Sequence, residues 1–301
     1  MRPSAALALC LAATLAATPA RAAADEPELP AATTAGEDAL SILVPRPHAA
    51  HNPLTKRSRD YRGLPFGDWM LYPSVLVGGV ADSNLVWSER QPVRAAGVRI
   101  SPRVIAERNV GLHKTTAYAE ADARLFPTLA YGAAINAQVG LAHVWEVQRD
   151  LIVKARVQYD RKALHISGGA FALPGGGYAL LATPLVADQG LAEAAIQKSF
   201  GRLFVGLSLD ATRTLYHDLR TTGGVFPQSY RDSLTTRRGA RGGLWISPAL
   251  YAFGEAMGNL REISQADLSS RGYRLTAGLG SDRLSLFRGE IFAGLQRQHY
   301  Q

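Results

Sequence analysis

The feature that most constrains this chain is an alternation of apolar and polar side chains, with a period of two residues, from about residue 69 to the end. In its clearest stretch, which begins at Leu151, Ala155 and Val157 alternate with Lys154 and Arg156. Successive side chains of a β-strand point to opposite faces, so this period indicates strands that separate two different environments. The pattern therefore predicts an all-β fold.

Eleven windows carry this alternation and are expected to be strands. They are residues 70–80, 97–106, 112–125, 135–147, 151–160, 192–200, 203–214, 235–247, 249–258, 272–279 and 284–298. Most of them reach the roughly 9–11 residues that a tilted strand needs to cross a membrane.

The connections between these windows alternate in length. Short turns are expected at residues 108–111, 148–150, 201–202, 247–248 and 280–283, and long loops at 82–96, 126–134, 161–190, 217–234 and 259–271. Transmembrane barrels place tight turns on one side of the membrane and large loops on the other, whereas a soluble β-sandwich has no reason to sort its loops in this way.

The number of strands favours an apolar outer surface. A barrel of eleven or more strands encloses a space too wide for side chains to fill with a hydrocarbon core. We therefore predict an antiparallel transmembrane β-barrel, with about 11–12 strands in this chain, apolar side chains toward lipid and polar side chains toward the lumen.

Composition excludes two other classes of protein. The 301 residues are 47% hydrophobic and 19% charged, and a mean hydropathy of −0.04 is too polar for a bundle of membrane helices. The net charge of +8 would allow nucleic-acid binding. The basic residues are spread over many strands, however, and nucleic acid needs one basic face, so no nucleic-acid partner is expected.

The N-terminus predicts export. An apolar run over residues 5–17 is followed by Ala20 and Ala22, which supply the small side chains that signal peptidase requires. We expect a signal peptide over residues 1–22, a flexible periplasmic lead segment over 23–67 and an outer-membrane β-barrel over 68–301. Cys10 lies inside the apolar run, so the mature chain contains no cysteine and no disulfide. The expected location is the bacterial outer membrane.

Several short motifs resemble a known family. They are Arg46-Pro47, Tyr61-Arg62-Gly63, Met70-Leu71-Tyr72-Pro73-Ser74, Asp82-Ser83-Asn84, Arg231-Asp232, Arg241, Asn259-Leu260-Arg261, and Phe287-Arg288-Gly289-Glu290 with Gly294 and Tyr300. Together they resemble the putative β-barrel porin family, the outer membrane β-barrel proteins of α-proteobacteria, from about residue 45 to the end. The resemblance implies an outer-membrane barrel that transports solutes, and it carries no catalytic residues.

A search for reactive sites gives no metal, no cofactor and no enzyme. The sequence has no His-Glu-x-x-His motif and no paired cysteines, which leaves zinc unsupported. His143 falls on an apolar strand face, where an interface position is favoured over a ligand role. The glycine-rich residues 174–178 lack the Lys-Ser/Thr pair of a phosphate loop and are expected to belong to the long loop, with infolding into the barrel mouth as one arrangement open to it.

Charged side chains on the polar strand faces are the expected pore lining. They are Arg99, Arg103, Lys114, Glu120, Asp122, Arg124, Lys154, Arg156, Asp160, Asp210, Arg237, Arg241, Arg274, Arg288 and Glu290. With Glu193 included, cations exceed anions among them, which predicts a modest anion preference.

The expected function is passive diffusion of small solutes or ions, with outer-membrane lipid as the other partner. The alternative from another class is a non-conducting barrel that serves as an outer-membrane enzyme, an adhesin or a surface scaffold. The residues do not indicate an oligomeric state.

The number of strands bears on whether this chain can form a closed barrel. Bacterial single-chain barrels have even numbers of strands. Eleven strands therefore predict that the barrel is C-terminally truncated, completed by another copy, or miscounted by one strand, since an open edge in hydrocarbon leaves backbone groups unpaired.

The first testable prediction concerns processing. The mature protein should begin at Ala23 or Asp25 and fractionate with outer membranes, because Ala20 and Ala22 position the cleavage site. N-terminal sequencing of the membrane fraction checks this. Retention of Met1 would contradict it.

Overall fold

A computed structural model describes residues 63–85, 92–127, 133–164, 170–172, 178–265, 268–284 and 287–300. The predicted signal peptide and nearly all of the predicted lead segment lie outside these residues. Leu64–Phe66, at the end of that lead segment, forms the first strand.

The described residues form sixteen strands and one short 3-10 helix, Ser229–Arg231. The strands are β1 Leu64–Phe66, β2 Trp69–Asp82, β3 Ala95–Val110, β4 His113–Leu125, β5 Ala134–Gln148, β6 Leu151–Leu164, β7 Ala170–Ala172, β8 Tyr178–Leu180, β9 Leu185–Phe200, β10 Leu203–Tyr216, β11 Leu219–Thr221, β12 Gly224–Phe226, β13 Ser233–Trp245, β14 Leu250–Ile263, β15 Ser270–Leu284 and β16 Phe287–Tyr300. No helix among these residues is long and apolar enough to cross a membrane.

Twelve strands form one antiparallel sheet in the order β1-β2-β3-β4-β5-β6-β9-β10-β13-β14-β15-β16. The eleven windows of the sequence correspond to its eleven long strands, which confirms the all-β antiparallel prediction. β1 is a three-residue addition that pairs with Trp69, Met70 and Leu71 of β2. In this order β1 and β16 are the two edges of the sheet, and no register among the described residues joins them.

The connections also alternate between short and long as expected, but several bounds differ: β9 begins at Leu185, inside the predicted loop 161–190, and β14 continues to Ile263, inside the predicted loop 259–271. β7-β8 and β11-β12 are hairpins inside two of the long loops. Residues 280–283, predicted to be a turn, belong instead to β15, which continues to Leu284. The register is irregular between Ser281 and Leu284. This irregularity breaks the period of two, so the sequence pattern does not predict the last residues of β15.

The two faces of the sheet are reversed relative to a water-soluble protein. Large apolar side chains such as Val157 (53% exposed) and Ile291 (80%) are exposed on one face. Charged side chains such as Asp210 (2%) and Glu193 (5%) are buried on the other. An extensive exposed apolar face is unfavourable in water and favourable in hydrocarbon, so this arrangement fits a sheet whose apolar side meets lipid.

The sheet curves toward its polar face. Arg241 in β13 and Glu290 in β16 are separated by two intervening strands, about 14 Å across a flat sheet at the usual strand spacing. Their side chains nevertheless meet, with Arg241 Nη2 2.6 Å from Glu290 Oε1. Glu290 also lies four residues along β16 from Gly294, the residue in register with Arg241, so the two extended side chains could not meet on a flat sheet. The sheet is therefore curved, and the polar face is the concave one.

The second prediction tests the assignment of faces. Ala155→Arg places a cation on the exposed apolar face of β6 and should cost about 2–4 kcal/mol of unfolding free energy if it lies near the bilayer midplane. Ala155→Leu at the same position should be close to neutral. Urea unfolding of both variants in lipid vesicles measures the difference, and equal stabilities would contradict the assignment.

Candidate pore lining

The structure places the sequence-predicted lining residues on one face. Fourteen of the fifteen lie on the polar, concave side of their strands. The exception is Arg288, whose backbone lies in β16 and whose side chain is outside the described part of the chain. The structure also shows which of these residues meet one another, and that grouping is absent from the sequence pattern.

Asp122 is the centre of a network between β3 and β4. Its carboxylate accepts hydrogen bonds from Arg99 Nε, from Ser101 Oγ at 2.6 Å and from Arg124 Nε at 3.3 Å. Arg103 Nε lies 3.6 Å from Glu120 Oε2 on the same two strands. The buried Asp122 therefore has compensating charge from two arginines.

A network with uncharged donors connects β4, β5 and β6. The hydroxyl of Tyr118 donates to Gln158 Oε1. Gln158 Nε2 and Gln138 Nε2 then donate to the two carboxylate oxygens of Asp160, at 2.7 and 2.8 Å. Asp160 is thereby held by amide donors, which leaves its negative charge without a cation among these contacts.

Four charges form a single row across β6, β9, β10 and β13. The row consists of successive register partners, in the order Arg156, Glu193, Asp210 and Arg237. Two carboxylates therefore lie side by side, with an arginine on the outer side of each. Arg156 binds Glu193 through two nitrogens at 2.8 and 2.9 Å. Arg237 Nε lies 3.8 Å from Asp210 Oδ2. The outer arginines offset the repulsion between the two buried acids.

This row changes one expectation from the alternation. By pattern alone, Arg156→Ala would leave folding nearly intact, because Arg156 faces water. Its guanidinium neutralises Glu193, which is 5% exposed. Removal of one partner of a buried pair leaves an uncompensated charge, so this substitution is expected to be destabilising.

A fourth network covers β13 to β16. Arg241, only 3% exposed, lies 3.5 Å from Glu255 and 2.6 Å from Glu290. Arg274 Nη2 donates to Glu255 at 3.2 Å, and the hydroxyl of Tyr251 donates to Glu290. The guanidinium of Arg241 also stacks on the ring of Phe253 at 3.8 Å. Ionic and aromatic groups therefore form one packed layer on this wall.

Glycines make two of these networks possible. Gly140 lies between Tyr118 and Gln158 in one row, and Gly280 lies between Tyr251 and Glu290 in another. A Cβ at either glycine would overlap the neighbouring tyrosine ring. Because the central residue has no side chain, the tyrosine crosses its strand and bonds to the next one.

Sequence reasoning missed several members of these networks. Tyr118, Gln138, Gln158, Glu255 and Tyr251 were not included, although each follows the polar parity of its strand. Glu193 was counted as a charge and not as a lining residue. The concave face also carries two further cations, Lys162 and Arg261, and two further carboxylates, Glu107 and Glu146, whose charges cancel. Glu255 therefore lowers the predicted cationic excess by one.

Two long loops meet above the concave face. Leu181 pairs with Thr221 of β11, and Ala182 N donates to Arg220 O at 2.9 Å. Leu181 and Leu219 pack with Leu185 of β9 as a small apolar cluster. Part of the predicted long loop thus lies at the loop end of the wall, while its residues 174–177 are outside the described residues.

The remaining candidate groups are the histidine His143, possible metal ligands and the acidic residue Asp150. His143 lies on the apolar face, where its Nδ1 is 2.9 Å from Thr115 Oγ1 and its Nε2 is 3.3 Å from His113 Nδ1. Among the described residues no group of three or more His, Cys, Asp or Glu side chains could hold a metal ion. In the exposed turn after β5, a hydrogen bond from Lys198 lowers the pKa of Asp150.

Comparison with known proteins gives a family. A family model described as putative beta-barrel porin 2 matches residues 59–301. Among solved structures, a loop L8 deletion mutant of OmpT, an outer membrane protein of Vibrio cholerae, is similar at 9% sequence identity, with 78% of this chain and 100% of that chain covered and a TM-score of 0.35. No curated protein matches the sequence.

The third prediction concerns the glycine rows. Gly140→Ala should displace Tyr118 from Gln158 and lower the unfolding free energy by about 1–3 kcal/mol, the usual cost of overpacking. Gly254→Ala is the matched control, because a Cβ there comes no closer than 4.0 Å to its neighbours. Urea unfolding in lipid vesicles measures both. Equal stability of the two variants would show that the tyrosine adapts freely.

Proposed function

We propose that this chain, which belongs to the putative beta-barrel porin 2 family, is a passive diffusion channel for small solutes or ions. The family and the fold make it an outer-membrane β-barrel protein of bacteria. Conduction is the further step that we propose, and in this proposal the chain has no catalytic activity.

The observation that carries the proposal is the reversal of the two faces. The buried charged side chains lie on the concave side, and most of the exposed large apolar side chains of the long strands lie on the convex side. If the wall closes in the membrane, its concave side encloses a polar interior. Water and small polar solutes are the natural contents of such an interior.

Weak selectivity is supported by the way in which the charges are arranged. Asp122, Glu193 and Glu255 each have an arginine partner within 3.5 Å. Groups neutralised in the wall contribute little to the binding of one particular solute, but their dipoles keep the surface polar. Fixed charges of both signs set a transverse field that tunes ion preference.

Arg124 is well placed to influence that preference. Its side chain is 39% exposed, more than those of Arg99 and Arg156, and it lies at the long-loop end of β4. Its partner Asp122 keeps two other donors, Arg99 and Ser101. A substitution at Arg124 should therefore alter the field in the lumen without leaving a buried acid unpaired.

The fourth prediction tests conduction and selectivity together. The reconstituted full chain should form channels in planar bilayers with a modest anion preference, which should weaken as salt shortens the Debye length from about 8 Å at physiological ionic strength. Arg124→Glu should move the reversal potential toward cation preference.

Arg108→Glu is the matched control, because it makes the same charge change on the opposite face of β3 and should leave the reversal potential unchanged. Absence of conductance from correctly folded protein would reject the channel function. Conductance without a response to Arg124→Glu would reject the assignment of this residue to the lining.

A further inference from the structure

Basic side chains appear on the apolar convex face where β13 to β16 approach the long loops, together with Leu234 and Leu260, which lie still closer to those loops. In the direction of the long loops, Arg238 lies beyond Ala240 on β13, Arg271 beyond Tyr273 on β15 and Arg297 beyond Leu295 on β16. All three are on the convex face by strand parity. We name Arg238, Arg271, Arg297 and His299 the outer basic patch. All four are exposed.

The arginines of this patch differ from those of the concave face in their pairing. Arg156, Arg241 and Arg274 all bind carboxylates. The arginines of the outer basic patch form no ion pair with any described residue. Glu262 is the single carboxylate on the described convex face of these four strands, and it is not paired with them either. The patch thus carries uncompensated positive charge.

The patch also contains an open notch. One row of register partners crosses β13, β14, β15 and β16, and it consists in that order of Arg238, Gly258, Tyr273 and Arg297. A Cβ at Gly258 would have no neighbour within 4 Å, so the space above this glycine is empty. Tyr273 is 43% exposed. The notch is therefore bounded by an arginine on one side and by an aromatic ring with a second arginine on the other.

The position of the outer basic patch along the strands restricts the molecules that the patch can contact. The patch lies at the long-loop end of the apolar band, and in outer-membrane barrels the long loops are extracellular. Arginine stems can lie along apolar surface while the guanidinium reaches the headgroup layer. The groups available there are the polar headgroups of the outer leaflet.

We propose that the outer basic patch binds the phosphate groups of an anionic lipid in the outer leaflet, with the lipid headgroup seated in the Gly258 notch. Guanidinium groups bind phosphate oxygens through paired hydrogen bonds, which suits arginine better than lysine. Arg238 and Arg297 stand about 14 Å apart at the usual strand spacing, so a headgroup with two phosphates would contact both.

The experiment compares lipids that differ only in phosphate. Full-length protein is folded in phosphatidylcholine nanodiscs that contain either bisphosphorylated lipid A or the same lipid without phosphates, and bound lipid is counted by native mass spectrometry. We expect retention of the bisphosphorylated form only. The double variant R238Q/R297Q should weaken its binding about tenfold, as expected for loss of charge-assisted hydrogen bonds.

Two matched controls locate the site. Arg108→Gln makes the same chemical change at the short-turn end and should retain full lipid binding. Gly258→Leu fills the notch and should weaken binding, whereas Gly254→Leu adds the same side chain to the same face of β14 outside the notch and should not.

Several outcomes would overturn the proposal. They are equal retention of the lipid without phosphates, unchanged affinity in R238Q/R297Q, and equal losses in the Gly258 and Gly254 variants. Heat-modifiable migration on gels confirms that each variant is folded. The proposal is independent of conduction, because lipid binding is measured without a current and a failed channel test leaves it standing.

Discussion

The structure depends on the requirement that no polar group remain unpaired where the chain meets hydrocarbon. Between the two edge strands β1 and β16, backbone donors and acceptors are paired in the ladders of a continuous antiparallel sheet. Most side-chain charges then lie on the concave face, because the middle of the convex face must be apolar, and convex charges such as Arg108 and Arg297 lie toward the strand ends. Reversal of the faces is thus a consequence of the solvent, and so is the concentration of charge on one side of the wall.

Concentrated charge creates a second requirement, which is local neutralisation. The row from Arg156 to Arg237 places two acids between two cations, and Arg241 bridges Glu255 and Glu290. Register brings together the members of the first row, and register together with the curvature of the sheet brings Arg241 to its two carboxylates, since the sequence separations are large. Because removal of one member leaves its partner buried and charged, the networks also stabilise the register that creates them.

Arginine has two different roles on the two faces. On the concave face the guanidinium groups bind carboxylates, as Arg156 binds Glu193. The result is a polar wall in which most charges have a partner of opposite sign. On the convex face Arg238 and Arg297 have no acidic partner among the described residues and border an empty notch. The same residue type is therefore structural in one place and available to a ligand in the other.

The sequence by itself determined the fold class, the strand windows and the face of each side chain, because a period of two encodes all three once the strands are regular. Tertiary structure alone decided which polar residues meet. Tyr118 reaches Gln158 only because register places Gly140 between them, and the notch at Gly258 exists only because its neighbours come from distant parts of the chain. Alternation describes one strand at a time, whereas these contacts depend on the offset between strands.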